Sequence, residues 1–227
     1  MTNTQVSVDI WSDVMCPWCA IGYTQFAKGI EQLQGELDVV VRWMPFELNP
    51  DMPSEGREQA AFLGEVYGRT PEQVVAMRAQ MQDAAARAGF PMDYTGEGEP
   101  PPAMMWNTFD AHKLLRWALA EGGPEVQTRL KQALFEAHFQ QRQNIADRAV
   151  LLGIVAGVGL DREGASAALD EEALAMATRM EEERGRRAGI NSVPSFVVNG
   201  THLIQGAREA DDYANLLQKV AGLTANA

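Results

Sequence analysis

The chain contains two cysteines, and they stand three positions apart in the sequence Cys16-Pro17-Trp18-Cys19. Two thiols at this spacing can open and close a disulfide, because exchange proceeds by attack of a thiolate on a sulfur atom. Residues 6–11 alternate apolar and polar side chains, which predicts a strand before the pair. Residues 20–33 show a helical pattern after it. The first thiol is therefore predicted at a helix N-terminus, with the second one turn farther along.

This position predicts different roles for the two thiols. Unpaired N–H groups and the helix dipole favour negative charge at a helix N-terminus. We therefore expect the pKa of Cys16 to lie below that of a free thiol, which makes Cys16 the predicted nucleophile and Cys19 the resolving thiol. Pro17 suits an early helical position because its ring fixes φ and it has no N–H to lose. Trp18 is predicted to form an apolar wall near Cys16, which Phe46 or residues 104–106 could extend.

Three other interpretations of the cysteine pair are weighed. Zinc needs about three or four ligands, but the chain has no further cysteine, and its histidines, His112, His138 and His202, lack paired spacing. Carboxylates could complete a zinc site, so metal binding stays an alternative. A structural disulfide here would close a very small loop and stabilise little. Two inert buried thiols would leave the Pro-Trp pair between them unexplained. We predict no metal and no cofactor.

Composition restricts the classes of partner. The 227 residues are 46% hydrophobic and 22% charged, which is ordinary for a globular protein. The net charge of −12 argues against a nucleic acid or an anionic membrane as partner. Residues 1–5 lack the basic and apolar regions of a secretory signal, although a mature form without its signal would look the same. Two cysteines in one motif suit a reducing compartment, so the sequence predicts a cytoplasmic protein.

The middle of the chain changes to helical character. A second strand is predicted over residues 37–46. Thr70 is predicted to cap a helix that stops at Gly89. The segment 90–102 is rich in Pro and Gly and predicts a loop. Five further helix starts complete an all-helical block over residues 53–187. The starts are Asn107, Pro124, Asp147, Asp161 and Asp170, and a break at Gly122-Gly123 separates the first helix from the second. The charged cluster at residues 181–187 predicts a solvated helix face.

The end of the chain returns to strands. Residues 195–198 and 201–204 flank Asn199-Gly200, a strong hairpin signal, and a helix is predicted over residues 208–220. Val193-Pro194 stands directly before the first hairpin strand. A prolyl bond there can be cis, which would leave the backbone of Val193 free to pair with an extended substrate. The residues alone leave both isomers open.

The chain has a strand, the CPWC motif, a helix and a second strand, and much later a Val-Pro pair followed by a hairpin. This order of elements resembles the thioredoxin fold. The long helical insertion resembles the DsbA family, and more narrowly its FrnE-like branch, which is similar to 2-hydroxychromene-2-carboxylate isomerases and kappa-class glutathione transferases. Segments that span nearly the whole chain carry the resemblance: 12–19, 45–50, 107–112, 144–147 and 192–200.

The resemblance implies an α/β protein with a thioredoxin-like fold and a large all-helical insertion domain. Residues 1–50 and 190–227 would form the thioredoxin-like domain, and residues 51–189 the insertion. It also implies that Cys16 attacks, that Cys19 resolves, and that a cis Val193-Pro194 bond lies beside the thiols, so that Pro17, Trp18, Val193 and Pro194 contact the substrate. Trp18 departs from the His of periplasmic DsbA, and the second cysteine pair of some FrnE proteins is missing.

The predicted function is thiol–disulfide exchange with protein or peptide substrates, with disulfide isomerisation as a further activity. The alternative is a glutathione-dependent isomerase or transferase, as in the sister families, with glutathione as the partner. Those enzymes have no use for a resolving thiol, so Cys19 favours exchange. Asn107, Asp110 and His112 would line the alternative's polar cleft, although a capping Asn and a helix-surface His are the simpler interpretations. A non-catalytic peptide-binding module with a vestigial motif is the second alternative. The oligomeric state is open.

Overall fold

The computed structural model describes residues 4–222. Its strands and helices follow one another along the chain in this order: β1 (Thr4–Ser12), α1 (Pro17–Glu31), β2 (Leu37–Pro45), β3 (Arg57–Glu58), α2 (Gln59–Tyr67), α3 (Pro71–Ala88), β4 (Met104–Met105), α4 (Phe109–Phe139), α5 (Arg148–Gly157), α6 (Arg162–Asp170), α7 (Glu172–Arg187), β5 (Ser195–Val198), β6 (His202–Gln205) and α8 (Ala210–Val220).

The main sheet has four strands in the order β2-β1-β5-β6. Strand β1 runs parallel to β2 and antiparallel to β5, so that Val8 pairs with Val41 on one side and with Val198 on the other. Strands β5 and β6 form the predicted hairpin, with Asn199 at a φ of 49° and Gly200 at 71° in its turn. The predicted order of strand, helix, strand, helical block, hairpin and helix is confirmed.

Helices α1 and α8 pack together beside this sheet. The ring of Phe26 from α1 lies 5.0 Å from that of Phe196 and 5.2 Å from that of Tyr213, measured between centroids. Gly29 permits the close approach of the two helices, because a Cβ there would lie 2.7 Å from the carbonyl oxygen of Ala210. This packing fixes the orientation of α1, whose N-terminus carries both cysteines.

The block between β2 and β5 is helical, with one addition. Strands β3 and β4 form a two-residue antiparallel ribbon, so the prediction of an all-helical insertion is wrong at this point. Two-residue strands are too short to show an alternating pattern in the sequence. The exact boundaries at residues 51 and 189 stay a prediction.

Most helix ends lie where the sequence places them. The Thr70 side chain accepts from the N–H of Gln73 in a complete capping box, and Gly89 ends α3 at a φ of 92°. Helix α4 is interrupted at Gly123, whose φ of 77° is not helical, just before Pro124. Asp147 caps α5 as predicted.

Other predicted caps need correction. Asp161 caps α6, but the N-cap of α7 is Glu171 and that of α4 is Thr108. The carboxylate of Asp170 instead binds Arg148 at 2.6 Å. An ion pair between residues 22 positions apart is a tertiary contact, so no local sequence pattern predicts it.

The predicted solvated face of α7 is also only partly correct. The side chains of Arg184 and Arg187 pair on the surface with acidic residues of their own helix. Glu182 is buried, and its carboxylate accepts from the N–H of Glu47 at 3.0 Å. Arg179 pairs with both carboxylates. Burial and the charge of Glu182 raise the pKa of Glu47 to about 7.

The helical block covers the outer edge of the sheet. The Gln127 amide of α4 accepts from the N–H of Trp43 at 2.8 Å and donates to its carbonyl at 2.9 Å. Gly185 of α7 lies against the ring of Trp11, where a Cβ would come within 2.3 Å. In the part of the chain that the structure describes, none of the helices combines the length and the apolar character that crossing a bilayer requires.

Candidate active site

The two cysteines lie at the N-terminus of α1, as predicted. Cys16 is the N-cap residue with extended backbone (φ −83°, ψ 113°), and Pro17 is the first helical residue. The N–H of Cys19 donates to the carbonyl of Cys16 at 3.0 Å, which closes one turn. Both thiols are free. Cys16 is 4% exposed and Cys19 is 0% exposed, so both are buried and Cys16 is the less enclosed of the two.

The loop before β5 lies beside these thiols. The Val193-Pro194 bond is cis, and the Cys16 thiol donates to the carbonyl of Val193 at 3.8 Å. Helix α1 approaches Pro194 closely at Gly22, where a Cβ would lie 3.1 Å from the proline ring. The structure thus brings Cys16, Val193 and Pro194 together from opposite ends of the sequence.

Two surface depressions flank the start of α1. Pro17 lines a shallow cleft between α3, β4 and α4, together with Met81, Met92, Met104, Trp106, Arg78, Arg142 and His138 among others. Trp18 is 47% exposed and lines a separate groove with Ile21 and Arg208. Phe46 packs instead on Trp11 and Ile190. The apolar wall next to the motif is therefore formed by Met104 and Trp106, whereas Trp18 faces the other side.

The electrostatics of the thiol pair differ from the prediction. The hydrogen bond with Cys19 and burial raise the pKa of Cys16 well above its ordinary value. Burial also opposes ionisation of Cys19, but the bond from Cys16, the charge of Lys131 and the Ser12 hydroxyl lower the pKa of Cys19. The predicted low pKa of Cys16 is wrong for this reduced state, because the inner sulfur receives the stabilisation.

A buried carboxylate supports the loop that carries Cys16. The side chain of Asp13 accepts from the N–H of Met15 at 3.3 Å and from that of Leu48 at 2.7 Å. Its Oδ1 lies 3.6 Å from Nε2 of His112. Burial alone would raise the pKa of Asp13, but His112, the Leu48 N–H and Lys131 lower it. The interpretation of His112 as a helix-surface residue is wrong, since it is buried against Asp13.

Lys131 of α4 was not predicted as a site residue. Its side chain is fully buried, and its Nζ has no hydrogen-bond partner. Nζ lies 5.2 Å from the ring centroid of Trp43 and 4.9 Å from that of Phe135, and both rings belong to the core cluster that contains the two cysteines. A signal was present in the sequence, because Lys131 interrupts the apolar stripe of Leu130, Leu134 and Phe135.

The other polar residues considered for the glutathione-dependent alternative make local contacts. The Asn107 amide donates to the carbonyl of Met52 at 3.1 Å and accepts from the N–H of Phe109 at 3.0 Å. Asp110 accepts from Lys113 at 2.9 Å. Residues 4–222 contain no group of three or more His, Cys, Asp or Glu side chains placed to hold a metal ion.

A parallel strand–helix–strand unit, completed by an antiparallel hairpin and helix, carries a free CxxC pair at the N-terminus of its first helix and an X-Pro loop beside it. Fold and site together define a dithiol protein of the thioredoxin superfamily. The chain belongs to the family of the DSBA-like thioredoxin domain, whose model matches residues 7–218. The predicted α/β fold, a thioredoxin-like fold with a helical insertion, and the predicted resemblance are confirmed.

Relatives cover nearly the whole chain. A probable DsbA oxidoreductase from Streptomyces coelicolor superposes with a TM-score of 0.83 at 29% identity, covering 98% of this chain and 92% of that one. The uncharacterized protein YwbO of Bacillus subtilis is 28% identical over 91% of this chain and 92% of its own length. The cytosolic disulfide reductase DsbM from Pseudomonas aeruginosa, solved with GSH, has a TM-score of 0.61 at 19% identity, covering 94% and 98% of the two chains.

Proposed function

We propose that this protein is a thiol–disulfide oxidoreductase that exchanges disulfides through Cys16 and Cys19. One observation carries the proposal: two free thiols, one helical turn apart, lie at a helix N-terminus, and Cys16 is the less deeply buried of the two. Membership of the DSBA-like family supports it. A vestigial motif would not require a resolving thiol held behind the first.

Cys16 is the attacking residue in this proposal. Loss of one proton leaves a thiol–thiolate pair joined by a hydrogen bond. Because the thiolate is the nucleophile, Cys16 attacks when the remaining proton of the pair lies on Cys19. The new bond joins Cys16 to the substrate, and the substrate's second sulfur leaves with the electron pair. Cys19 then attacks Cys16 and releases the first substrate sulfur. In the oxidising direction the same steps run in reverse.

The substrate is a protein or peptide with a thiol or a disulfide. The backbone of Val193 lies next to Cys16 and offers an extended chain its hydrogen-bonding groups. The cleft beside Pro17 has methionine and tryptophan walls that suit apolar side chains. Trp18 provides exposed apolar surface on the opposite side of α1. Disulfide isomerisation follows from the same chemistry when the released thiol attacks another bond of the same substrate.

Glutathione is the small-molecule thiol that we propose as a second partner. The DsbM structure contains GSH, and Arg78 and Arg142 in the cleft offer guanidinium groups to carboxylates. A glutathione-dependent isomerase or transferase remains the alternative function, distinguished by its need for one motif cysteine rather than two. We propose a cytoplasmic location, supported by the confinement of cysteine to one motif.

Reduction of insulin by dithiothreitol tests the function. Cys16→Ser should lower the catalysed rate by roughly two orders of magnitude, since the nucleophile is lost. Cys19→Ser should accumulate mixed disulfides that mass spectrometry detects on Cys16 after oxidised glutathione or peptide disulfides are added. Gln218→Ala is the control, because it removes an exposed bond to Glu36 away from the motif and should keep the wild-type rate. Full insulin reduction by Cys16→Ser would refute the proposal.

A further inference from the structure

The cleft beside Pro17 carries positive charge in a chain whose net charge is −12. Its charged side chains are Arg78 of α3 and Arg142, which follows α4, and none of the described residues that line it is acidic. The groove on the Trp18 side of α1 differs, because its two arginines are balanced by two acidic residues. A cleft whose walls carry one sign of charge concentrates ligands of the opposite sign. The Pro17 side of the motif therefore suits a negatively charged ligand.

A buried imidazole in the same cleft lacks a hydrogen-bond partner. His138 of α4 lines the cleft and is 6% exposed, and its Nδ1 makes no hydrogen bond within the described chain. Burial lowers the pKa of His138 to about 4, so the neutral ring offers one donor and one acceptor. A buried polar atom without a partner needs an explanation, and a chain bound in the cleft provides one.

Helix α3 continues this surface beyond the cleft. Arg78, Met81 and Gln82 line the cleft. Val75 is 67% exposed and lies on the same face of the helix, three positions before Arg78 and seven before Gln82. These four residues are called the α3 stripe. From Met81 to Val75 the stripe runs about 9 Å along the helix axis, which is the length of about three residues of extended chain.

We propose that the α3 stripe binds polypeptide substrates with an acidic side chain close to the reacting cysteine and an apolar side chain about three residues beyond it. The inference rests on the proposed function and names the substrate class of the same site. Arg78 pairs with the carboxylate, and Val75 covers the apolar side chain. Glutathione also carries carboxylates but has no apolar side chain, so it distinguishes the two halves of the stripe.

The test uses peptides of equal length whose single cysteine is joined to 2-thiopyridine by a disulfide. The Cys16 thiolate attacks the peptide sulfur, the Cys16–peptide bond forms, and the thiopyridine sulfur leaves with the electron pair as ultraviolet-absorbing thiopyridone. A peptide with glutamates beside its cysteine is compared with a glutamine counterpart, and each rate is divided by the rate with dithiothreitol. The wild-type protein should prefer the acidic peptide about tenfold, and Arg78→Gln should lower this preference about threefold.

A second variant tests the outer end of the stripe. Both peptides above carry leucines three residues from the cysteine, and a third peptide has serines there. Val75→Ser should slow the reaction of the leucine peptides about threefold, because less apolar surface is covered. The rates of the serine peptide and of the thiopyridine disulfide of glutathione should change by less than about twofold. Serine and valine have similar helix propensities, so α3 itself is preserved.

Arg129→Gln is the control, because it removes the same charge from an exposed position of α4 outside the cleft. It should keep the wild-type preference for the acidic peptide. An unchanged preference in Arg78→Gln overturns the proposal, and so does a loss of rate confined to glutathione, which would assign Arg78 to the small thiol. Equal rates of Val75→Ser and wild type with the leucine peptides would also contradict it. Failure of the proposed function is separate, because the wild-type protein would then not catalyse insulin reduction.

Discussion

Titratable side chains buried near the dithiol make the site sensitive to pH at the level of single residues. His138 of α4 is an example, since burial lowers its pKa to about 4. Its Nδ1 has no hydrogen-bond partner, and its ring packs 4.6 Å from that of Phe139. The folded protein therefore holds this imidazole neutral, while the unfolded chain protonates it near pH 6.5.

The sign of the resulting pH dependence follows from linkage. Between pH 6.5 and 4 the unfolded state binds a proton at His138 that the folded state does not bind. His138 therefore lowers the free energy of unfolding progressively as the pH falls, by about 3 kcal/mol in total. His138→Gln should abolish this part of the slope when the free energy of unfolding is measured in urea at several pH values. The exposed His202→Gln is the control and should retain it.

Glu47 changes stability with pH in the direction opposite to His138, and it is present in both the wild-type protein and His138→Gln. Its raised pKa of about 7 means that the folded state binds the extra proton, so its contribution falls as the pH rises from 4.5 to 7. Comparing His138→Gln with wild type cancels this effect. An unchanged slope in His138→Gln would contradict the assigned pKa of His138.

At the scale of elements, the packing of helices limits which substitutions the protein tolerates. Glycines lie where two helices approach each other most closely. A Cβ at Gly29 of α1 would lie 2.7 Å from the carbonyl oxygen of Ala210 and 3.2 Å from the nitrogen of Ala214, both backbone atoms of α8. Backbone atoms cannot rotate away as a side chain can. The helix that carries the dithiol is thus held by a contact that has no room for a methyl group.

Gly29→Ala should lower the free energy of unfolding by about 1–3 kcal/mol, because the helices must separate to admit the new methyl. Gly153→Ala in α5 is the matched control. No atom lies within 4 Å of a Cβ there, so alanine should stabilise that helix by up to about 1 kcal/mol. Denaturant unfolding measures both. If both substitutions changed the free energy of unfolding equally, α1 and α8 would be able to separate without destabilising the protein, which would contradict this prediction.

The elements themselves were largely predictable from the sequence, because their signals are local. The capping box at Thr70, the break at Gly123 and the turn at Asn199-Gly200 each involve residues within a few positions of one another. The placement of the dithiol at the start of α1 follows from the same kind of signal. The ribbon of β3 and β4 gave no such signal, since each strand has two residues.

The polar part of the candidate site was less predictable. The proximity of His112 to Asp13, and that of Lys131 to the ring of Trp43, each join residues about ninety to a hundred positions apart in the sequence. A single lysine in an apolar stripe suggests burial but does not identify its partner. The pKa direction of Cys16 was wrong for a related reason, because the helix N-terminus is a local feature and the competing bond to Cys19 depends on how the pair is buried.

At the scale of the whole molecule, the helical insertion completes the sheet. Strand β2 is an edge strand, and the N–H and carbonyl of Trp43 both bind the amide of Gln127. The indole of Trp43 also donates to the Thr128 hydroxyl at 3.0 Å. The insertion and the sheet therefore share hydrogen bonds as well as a core, which predicts that they unfold together.

Gln127→Leu should lower the free energy of unfolding by about 2–4 kcal/mol, because it leaves two buried backbone groups of Trp43 without partners. The unfolding transition should stay single when followed by far-ultraviolet circular dichroism and by tryptophan fluorescence. Gln218→Ala, which removes an exposed bond to Glu36, should change stability by less than about 0.5 kcal/mol. Two separated transitions in the wild-type protein would contradict the shared unfolding.

The amide of Gln127 has a further consequence for the protein in a crowded solution. A side-chain amide presents a donor and an acceptor side by side, as a peptide group does, and here these two groups occupy the place where a neighbouring strand would bind Trp43. The second N–H of the amide donates to the carbonyl of Leu115. An open strand edge recruits strands from other molecules and so begins aggregation. In this protein the side chain of Gln127 binds the edge groups of Trp43, so a strand from another molecule cannot pair with them.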